Sequence, residues 1–234
     1  MPTRTAMGLL GLIGLVASGC SGDDTGPAPL TGSLQVIQAA ESTATIDVLV
    51  DGNVVIHRLA AGATSSAVAI PAGRREIAFR PVGGAASPHA LDLAVSPDRA
   101  YTTVVTDSAA VLDPVVLSDT GSTPAAGRTK LQVANFSSLA GPLDVYRRQP
   151  DFDGLVTLVF PFAYRSLSGY VESDPGDWQV LIAPERRAGG IPLEVPEDTL
   201  LVVDPVSLAA GQASTVVIVD KPGGGLDAVI VRDR

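Results

Sequence analysis

Cysteine, histidine and aromatic residues are scarce in this chain. It has one cysteine, Cys20, two histidines, His57 and His89, and an aromatic content of 4% over 234 residues. A single cysteine excludes an internal disulfide bond. Zinc and iron sites need three or four converging nitrogen, sulfur or oxygen ligands, and neither histidine has a second ligand at a suitable spacing. The sequence therefore predicts no metal site and no cofactor.

The sequence also lacks the motifs of common catalytic sites. It has no Gly-x-Ser-x-Gly elbow, and Ser168-Gly169 falls inside a predicted strand. Two acidic groups, Asp151 with Asp153 and the cluster at residues 194–198, are typical of solvated turns on an acidic protein. We therefore predict no catalytic residues and a protein that is not an enzyme.

Basic residues are fewer than acidic ones, with 16 Lys and Arg against 25 Asp and Glu, and the formal net charge is −9. An acidic surface repels nucleic acid and anionic lipid headgroups. The arginine pairs Arg74-Arg75, Arg147-Arg148 and Arg186-Arg187 are separated along the chain and do not form a phosphate-binding track. The sequence predicts no nucleic-acid partner.

Long apolar runs are absent except at residues 8–19, which follow Arg4. This run has the length of a signal-peptide core and falls short of the roughly 20 residues that a transmembrane helix needs. Ala17-Ser18-Gly19-Cys20 resembles the lipobox of bacterial lipoproteins, with Ala17 in place of the usual leucine. The resemblance implies that residues 1–19 are a signal peptide and that the Cys20 thiol carries a diacylglycerol, whose two acyl chains give stable anchoring. The alternative is a plain secretory signal with an incidental cysteine.

Residues 20–32 form a polar segment rich in glycine and proline, without an apolar period. This composition predicts a flexible tether between the lipid and the folded protein. In bacterial lipoproteins, an aspartate directly after the lipidated cysteine tends to retain the protein at the inner membrane. Ser21 holds that position here and implies the outer membrane. We therefore expect a lipid-anchored location in the cell envelope, on the periplasmic or the surface face.

Glycine and proline are abundant, with 24 and 18 residues, and Val, Ile, Leu and Thr fill the short segments between them. Apolar and polar residues alternate in these segments, as in Ile46, Val48 and Val50 against Asp47 and Asp51, which is typical of strands with one buried face. No segment has a helical period. Each half of the chain holds about seven such segments, and the sequence predicts an all-β protein of two antiparallel immunoglobulin-like β-sandwiches.

Two short motifs predict turns between strands. Asp51-Gly52 lies between two apolar segments and is a strong signal for a tight hairpin. Gly223-Gly224-Gly225 lacks the Lys-Ser/Thr and the helix of a phosphate-binding loop, so it predicts a turn that joins the last two strands.

The second half of the chain repeats the first. Leu34-Gln35-Val36 corresponds to Leu131-Gln132-Val133, and the Asp-Val pair at Asp47 to that at Asp144, with an offset that grows from 97 to 114 residues towards the end. The sequence predicts one domain at 33–119, a linker at 120–129 and a second domain at 130–234. The short linker leaves two arrangements open, which are copies with limited relative freedom and a continuous body in which the last strand of one copy pairs with the other.

The first copy resembles the bacterial DUF4397 family of exported domains of uncharacterised function, often found in tandem. The resemblance is carried by Leu34-Gln35-Val36, the hairpin at residues 46–52, Pro71-Ala72-Gly73 and Tyr101 to Val105, in that order. It covers residues 33–119 well and 130–234 more loosely, because the second copy lacks the Asp-Gly hairpin and the tyrosine. The family implies an exported all-β domain and brings no catalytic residues.

The second copy holds most of the aromatic residues, and an extra segment at residues 151–161 lies beside three arginines. Aromatic residues and arginines on a loop are common in recognition surfaces. The candidate recognition patch consists of Arg147, Arg148, Phe152, Tyr164 and Arg165. The alternative is that the aromatic side chains fill the core of the second copy.

Three functions remain open at this point. The anchor, the tether and the duplicated sandwich favour a non-catalytic binding or adhesion module, with an envelope protein or glycan as its partner. A structural spacer or assembly subunit of the envelope is the alternative. A hydrolase acting on polysaccharide or ester is the third hypothesis, and it requires a cleft with converging carboxylates or a serine–histidine pair.

Overall fold

The computed structural model describes residues 29–40, 43–83, 89–108, 111–118, 123–150, 154–186 and 195–233. All regular secondary structure in these ranges is β-strand, which confirms the predicted all-β class. In this part of the chain no helix is long and apolar enough to cross a membrane. The predicted signal peptide, Cys20, most of the tether and Phe152 lie outside the described residues.

Seventeen strands are formed in the described ranges. In chain order they are β1 Thr31–Gln38, β2 Thr45–Val50, β3 Asn53–Ala60, β4 Val68–Pro71, β5 Gly73–Pro81, β6 His89–Val95, β7 Ala100–Ser108, β8 Val111–Ser118, β9 Thr129–Asn135, β10 Leu143–Arg148, β11 Val156–Phe162, β12 Ser166–Leu167, β13 Val171–Ser173, β14 Gly176–Pro184, β15 Leu201–Leu208, β16 Ala213–Asp220 and β17 Leu226–Asp233.

The strands form four sheets that pair into two sandwiches. The first sandwich consists of outer sheet 1, ordered β3-β2-β5-β6, and inner sheet 1, ordered β4-β1-β7-β8. The second consists of outer sheet 2, ordered β11-β10-β14-β15, and inner sheet 2, ordered β12-β9-β16-β17 with β13 also paired to β9. The strand order of one sandwich is therefore repeated in the other. The short strands β4, β12 and β13 raise the strand number above the seven expected in each half.

Each sandwich has its own apolar core between its two sheets. The alternation seen in the sequence holds, because Ile46, Val48 and Val50 are at most 4% exposed and face the core of the first sandwich. In the second sandwich, core residues from the two sheets include Val145, Ile182, Leu131, Val133 and Val216. Burial of this apolar surface is the main force that holds the sheets together.

One strand pair in each sandwich differs from the antiparallel arrangement that we predicted. β1 pairs with β7 in parallel, and β9 pairs with β16 in parallel, whereas the other pairs are antiparallel. A parallel pair needs a long crossover connection, and the expected connection was a helix. Here the crossover is made mainly by strands of the facing sheet. After β1 the chain runs through β2 and β3 of outer sheet 1, adds the edge strand β4 to inner sheet 1, and passes through β5 and β6 of outer sheet 1 before β7.

The predicted turns are confirmed. Asp51 and Gly52 join β2 to β3 with positive φ angles of 49° and 80°, the conformation that the preferred two-residue hairpin turn requires. The three glycines at 223–225 all have positive φ and join β16 to β17. The Lys221 amide donates to the Gly225 carbonyl at 2.9 Å and closes this turn.

The two sandwiches share a side-chain hydrogen-bond pattern at their first strands. In β1, the Gln35 side chain donates to the Ser65 carbonyl at 3.0 Å, and the Val36 amide donates to Ser65 Oγ at 3.0 Å. In β9, Gln132 donates to the Ser168 carbonyl at 2.6 Å, and the Val133 amide donates to Ser168 Oγ at 2.9 Å. Ser168 therefore holds an edge segment against β9.

The two inner sheets contact each other through the faces that point away from their own cores. Apolar residues of both inner sheets form a third buried cluster, so the layers follow the order outer sheet 1, inner sheet 1, inner sheet 2, outer sheet 2. Among the described strands, β8 pairs with β7 and β17 pairs with β16. The halves therefore meet face to face, and not by sharing a sheet.

Candidate functional site

The five residues of the predicted recognition patch do not lie together. Arg147 and Arg148 follow each other on β10, where successive side chains point to opposite faces of the sheet. Arg147 is 8% exposed and its guanidinium lies over the Trp178 ring, with Cζ at 4.8 Å from the ring centroid. Arg148 is half-buried on the other face and donates to the Gln179 side chain at 2.7 Å.

Tyr164 and Arg165 lie near the opposite end of β10. They follow Phe162, which pairs with Leu143 at the start of β10, whereas Arg147 pairs with Val156 at the other end of β11. Tyr164 is half-buried, and Arg165 is exposed and forms an ion pair with Asp113 of the first sandwich. The patch therefore divides into separate locations, and Phe152 falls outside the described residues.

Four of the six aromatic side chains of the second half whose exposure the structure describes are buried. Phe162 is 1% exposed and Trp178 is 9% exposed, and both belong to the core of the second sandwich. Phe136 is 1% exposed in the cluster between the inner sheets, and Tyr146 is 2% exposed on the outer face of outer sheet 2. Phe162 and Trp178 thus lie in the core of the second copy, as the alternative expected, whereas Phe136 and Tyr146 are buried outside it.

The outer face of outer sheet 2, which points away from the core of the second sandwich, carries a row of large side chains. Tyr146, Leu181 and Val202 form one row across β10, β14 and β15, because Tyr146 pairs with Leu181 and Leu181 with Val202. Tyr146 and Leu181 are buried together with Leu155 and Ala183, which lie outside the main core. We call this face, with the exposed residue Leu200 that precedes β15 and whose amide donates to the Ile182 carbonyl at 2.8 Å, the β10–β15 face.

Apolar groups on the β10–β15 face remain open to solvent. Val202 and Leu200 are each 45% exposed. Polar side chains border this row on one side, where Arg148 donates to Gln179, and Gln179 donates to Asp204 at 2.7 Å. Exposed apolar residues bordered by polar side chains are typical of protein–protein contact sites.

The equivalent face of the first sandwich has a different chemistry. At the row that corresponds to Tyr146, Leu181 and Val202, outer sheet 1 has Leu49, Ala78 and Ala90. Ion pairs flank this row, with Arg80 at 2.9 Å from Asp47, Arg75 at 3.0 Å from Asp51 and Arg74 at 2.7 Å from Asp92. The hydrogen bond from Arg80 holds the pKa of Asp47 below its ordinary value. Both rows are apolar, and the row of the second sandwich differs in its larger side chains, Tyr146, Leu181 and Val202.

A buried carboxylate organises one end of the β10–β15 face. Asp144 is 4% exposed, accepts a hydrogen bond from the Tyr146 hydroxyl at 3.3 Å and another from the Arg186 amide at 3.0 Å. The Arg186 side chain forms an ion pair with Asp198, in the segment before β15. Asp144 thus connects β10 to the connection between β14 and β15. Burial, and then the Asp144 charge, raise the pKa of Tyr146 above its ordinary value.

Replacement of Tyr146 by phenylalanine is expected to reduce the alkaline destabilisation of the protein. Because the folded state raises the pKa of Tyr146, it favours the neutral phenol, and this stabilisation is complete below about pH 10 and lost as the pH rises through the folded pKa. Thermal melting between about pH 8 and 12 tests this, with Tyr164→Phe as the control on a half-buried tyrosine. An alkaline decrease of Tm in Tyr146→Phe equal to that of the wild type would contradict the assignment.

The two histidines lie apart. His57 is exposed on β3, and His89 is half-buried at the start of β6. In the described ranges, no group of three or more His, Cys, Asp or Glu side chains converges. The Ser168 hydroxyl, the serine next to a glycine noted in the sequence, donates to the Gly169 carbonyl at 3.0 Å.

Sequence reasoning missed Asp144, Tyr146 and Val202 as members of one face. The offset between the halves grows because the second half has added residues after β10 and after β14, and the residues of this face border both connections. Insertions in surface connections often carry function. The difference in length between the halves was therefore the signal that could have located this face.

The sequence and the structure were compared with known proteins. No curated protein matched the sequence. The tip fimbrial protein Mfa3 from Porphyromonas gingivalis, with C-terminal truncation, is 12% identical and matches over 87% of this chain and 99% of that chain, with a TM-score of 0.28. A candidate adhesin from Bacteroides ovatus is 10% identical and matches over 88% of this chain and 95% of that chain, with a TM-score of 0.23.

A family model matches the first sandwich. The match extends from β1 into β10, so the relation of the rest of the second sandwich to the same family stays a prediction. Residues 32–146 thus carry a domain of unknown function, DUF4397, as the sequence motifs of the first half predicted.

Proposed function

We propose that this protein is a non-catalytic binding module of the cell envelope, which a lipid on Cys20 holds at the outer membrane and which recognises an envelope protein through the β10–β15 face. The observation that carries the proposal is the exposure of the apolar residues Leu200 and Val202 on β15 and just before it, beside the buried row of Tyr146 and Leu181. Such a surface gains free energy when a partner removes it from water. Its apolar character favours a protein partner over a glycan.

The position of this face in the molecule supports the same function. The tether enters at β1 in inner sheet 1, and the β10–β15 face belongs to outer sheet 2, which is the terminal layer on the other side of the stack. A partner that approaches outer sheet 2 meets neither the first sandwich nor the inner sheets. The predicted lipid anchor and the flexible tether would then leave this layer accessible at the membrane.

Val202→Lys is expected to lower the captured amount of partner by about tenfold or more, because it places a charge in the centre of the apolar surface. Cys20 is the only cysteine of the chain, so residues 20–234 can be coupled to beads through its thiol, in the orientation that a lipid would impose. The coupled protein is incubated with detergent-solubilised envelope from the producing organism, and bound proteins are quantified by mass spectrometry.

The matched control is Ala90→Lys. Ala90 occupies the position of the first sandwich that corresponds to Val202 and is also exposed, so it carries the same added charge on the polar face. We expect wild-type capture from Ala90→Lys and an unchanged Tm for both variants. Equal capture by all three proteins, or capture of glycan fragments that Val202→Lys does not affect, would contradict the proposal.

A further inference from the structure

The contact between the two inner sheets is made by a buried apolar cluster that belongs to neither sandwich core. We call it the inter-sandwich cluster. Its members are all at most 9% exposed, and they are Ile37, Ala39, Val104 and Leu117 of inner sheet 1 and Ala134, Phe136, Val217, Val219 and Val231 of inner sheet 2. If the sandwiches were apart, both faces would be apolar patches in contact with water.

The two sides of the cluster use equivalent positions. Ile37 pairs with Val104 in inner sheet 1, and Ala134 pairs with Val217 at the same place in inner sheet 2. Val115 and Val229, which pair with Val104 and Val217, also pack against the cluster from the two sides. An interface in which both partners use the same patch is the kind found in twofold-symmetric dimers.

The side chains at two equivalent positions differ in size in a compensating way. Ile37 of the first sandwich corresponds to Ala134 of the second, whereas Ala39 corresponds to Phe136. A large side chain on one sheet is thus matched by a small one at the same position of the other, at both places. Since protein interiors are close-packed, this exchange lets two similar sheets fill the space between them.

Contacts at the margin of the cluster also join the sandwiches. Arg165 of the second sandwich forms an ion pair with Asp113 of the first. The loop after β3 also comes close to the turn after β16. Gly62 lies so near Pro222 that a Cβ atom at Gly62 would be 2.8 Å from Pro222 Cγ, closer than a side chain tolerates. The loops around these residues enclose a cleft of about 400 Å³ lined by Ala39, Ala61, Leu139 and Asp220.

We propose that inner sheet 1 and inner sheet 2 are homotypic docking surfaces, each with the other sandwich as its partner, and that they hold the molecule as one rigid body without help from the linker. The chain is then a covalently joined dimer with approximate twofold symmetry. The linker at 120–129 raises the effective concentration of the two halves but does not set their arrangement.

Cutting the linker of the folded, full chain tests this proposal. A protease recognition sequence is inserted within residues 120–129, the protein is purified and cleaved, and the fragments are analysed by size-exclusion chromatography at micromolar concentration. We expect both fragments to elute together at the volume of the uncut protein. Elution of two separate fragments, each with β-type circular dichroism, would overturn the proposal.

Interface variants show whether the inter-sandwich cluster is responsible. In the cut protein, Val217→Asp is expected to release the fragments, whereas Val111→Asp, which adds the same charge at a position of β8 that is 58% exposed, is expected to leave them together. If Val217→Asp does not fold, Phe136→Ala serves instead, because Phe136 lies in the inter-sandwich cluster and outside both cores. We expect this variant to weaken fragment association about tenfold or more, and unchanged association would overturn the proposal.

Discussion

Phe79→Ala is expected to lower the free energy of unfolding of the whole chain by about 3–5 kcal/mol. Phe79 is fully buried in the core of the first sandwich, where it pairs with Val48 across outer sheet 1 and packs between the two sheets. Its removal leaves a cavity that the surrounding strands can fill only in part. Differential scanning calorimetry of wild type and variant measures the effect.

The number of unfolding transitions is as informative as the change in the free energy of unfolding. Because the inter-sandwich cluster joins the two halves, we expect one unfolding transition that moves to lower temperature as a whole in Phe79→Ala. The control is Val111→Ala, an exposed position of the first sandwich, for which we expect no change of Tm. Two transitions in the variant, of which one keeps the wild-type temperature, would show that the sandwiches unfold independently.

Trp178→Ala is expected to cost about 3–5 kcal/mol of stability. The indole is 9% exposed, donates from Nε1 to the Asp174 carbonyl at 3.0 Å and lies under the Arg147 guanidinium. Arg147 also donates to Ser173 Oγ, but its Nε has no hydrogen-bond partner among the described residues. Burial, and next the charge of Arg128, lower the pKa of Arg147. Loss of the ring would leave this cation without its main contact.

Arg147→Met is expected to be neutral or stabilising, because replacing a buried charged group by an apolar side chain of similar length removes its desolvation cost. A double-mutant cycle with Trp178→Ala should give a coupling of about 1–2 kcal/mol, as for a desolvated cation–π pair. Chemical denaturation of the four proteins gives these values. If Arg147→Met kept its stability as expected but lost capture of the partner, Arg147 would belong to a recognition site, as the sequence analysis predicted.

The sequence predicted the secondary structure class because its apolar residues alternate with a period of two. At Ile46, Val48 and Val50 the alternation matched the core face, and Asp47 lay on the other face, in an ion pair with Arg80. The turns at Asp51-Gly52 and at the three glycines were predicted because few other residues adopt positive φ without strain. These are local effects, which sequence patterns record directly.

The contact between the inner sheets was not predicted, because it joins strands that are distant in the chain. The sequence of β16 does carry an indication of this contact. In the structure all eight positions from Ala213 to Asp220 are buried, so the strand is covered on both faces. A strand that is covered on both faces reads as a continuous apolar run, as Val216 to Val219 does. The sequence left two arrangements open, copies with limited relative freedom and a continuous body in which the last strand of one copy pairs with the other, and a face-to-face contact of the two inner sheets was neither of them.

The five residues of the predicted recognition patch do not form one surface, because residues that are close in sequence can lie on different faces of a sheet or on different strands. Arg147 and Arg148 are neighbours in sequence, but the period of the strand places one over Trp178 and the other beside Gln179 on the β10–β15 face. Arg165 follows another strand and reaches Asp113 in the first sandwich. Sequence proximity grouped these residues, whereas the face of the sheet on which each side chain lies depends on the strand period and the sheet register.

The account rests on a fixed stack of four sheets that presents the β10–β15 face on its terminal layer. A distance measurement between the two outer sheets tests this directly. Spin labels are placed at Ala90→Cys and Val202→Cys in a Cys20→Ser chain, since both positions are exposed, one on each outer sheet. Three sheet-to-sheet spacings of about 10 Å separate the layers, so the labels should be roughly 30 Å apart or more.

We predict a single narrow distance distribution in double electron–electron resonance, which stays unchanged when the linker is cut. A broad distribution, or several populations in the uncut protein, would contradict the fixed stack and the presentation of the β10–β15 face that depends on it.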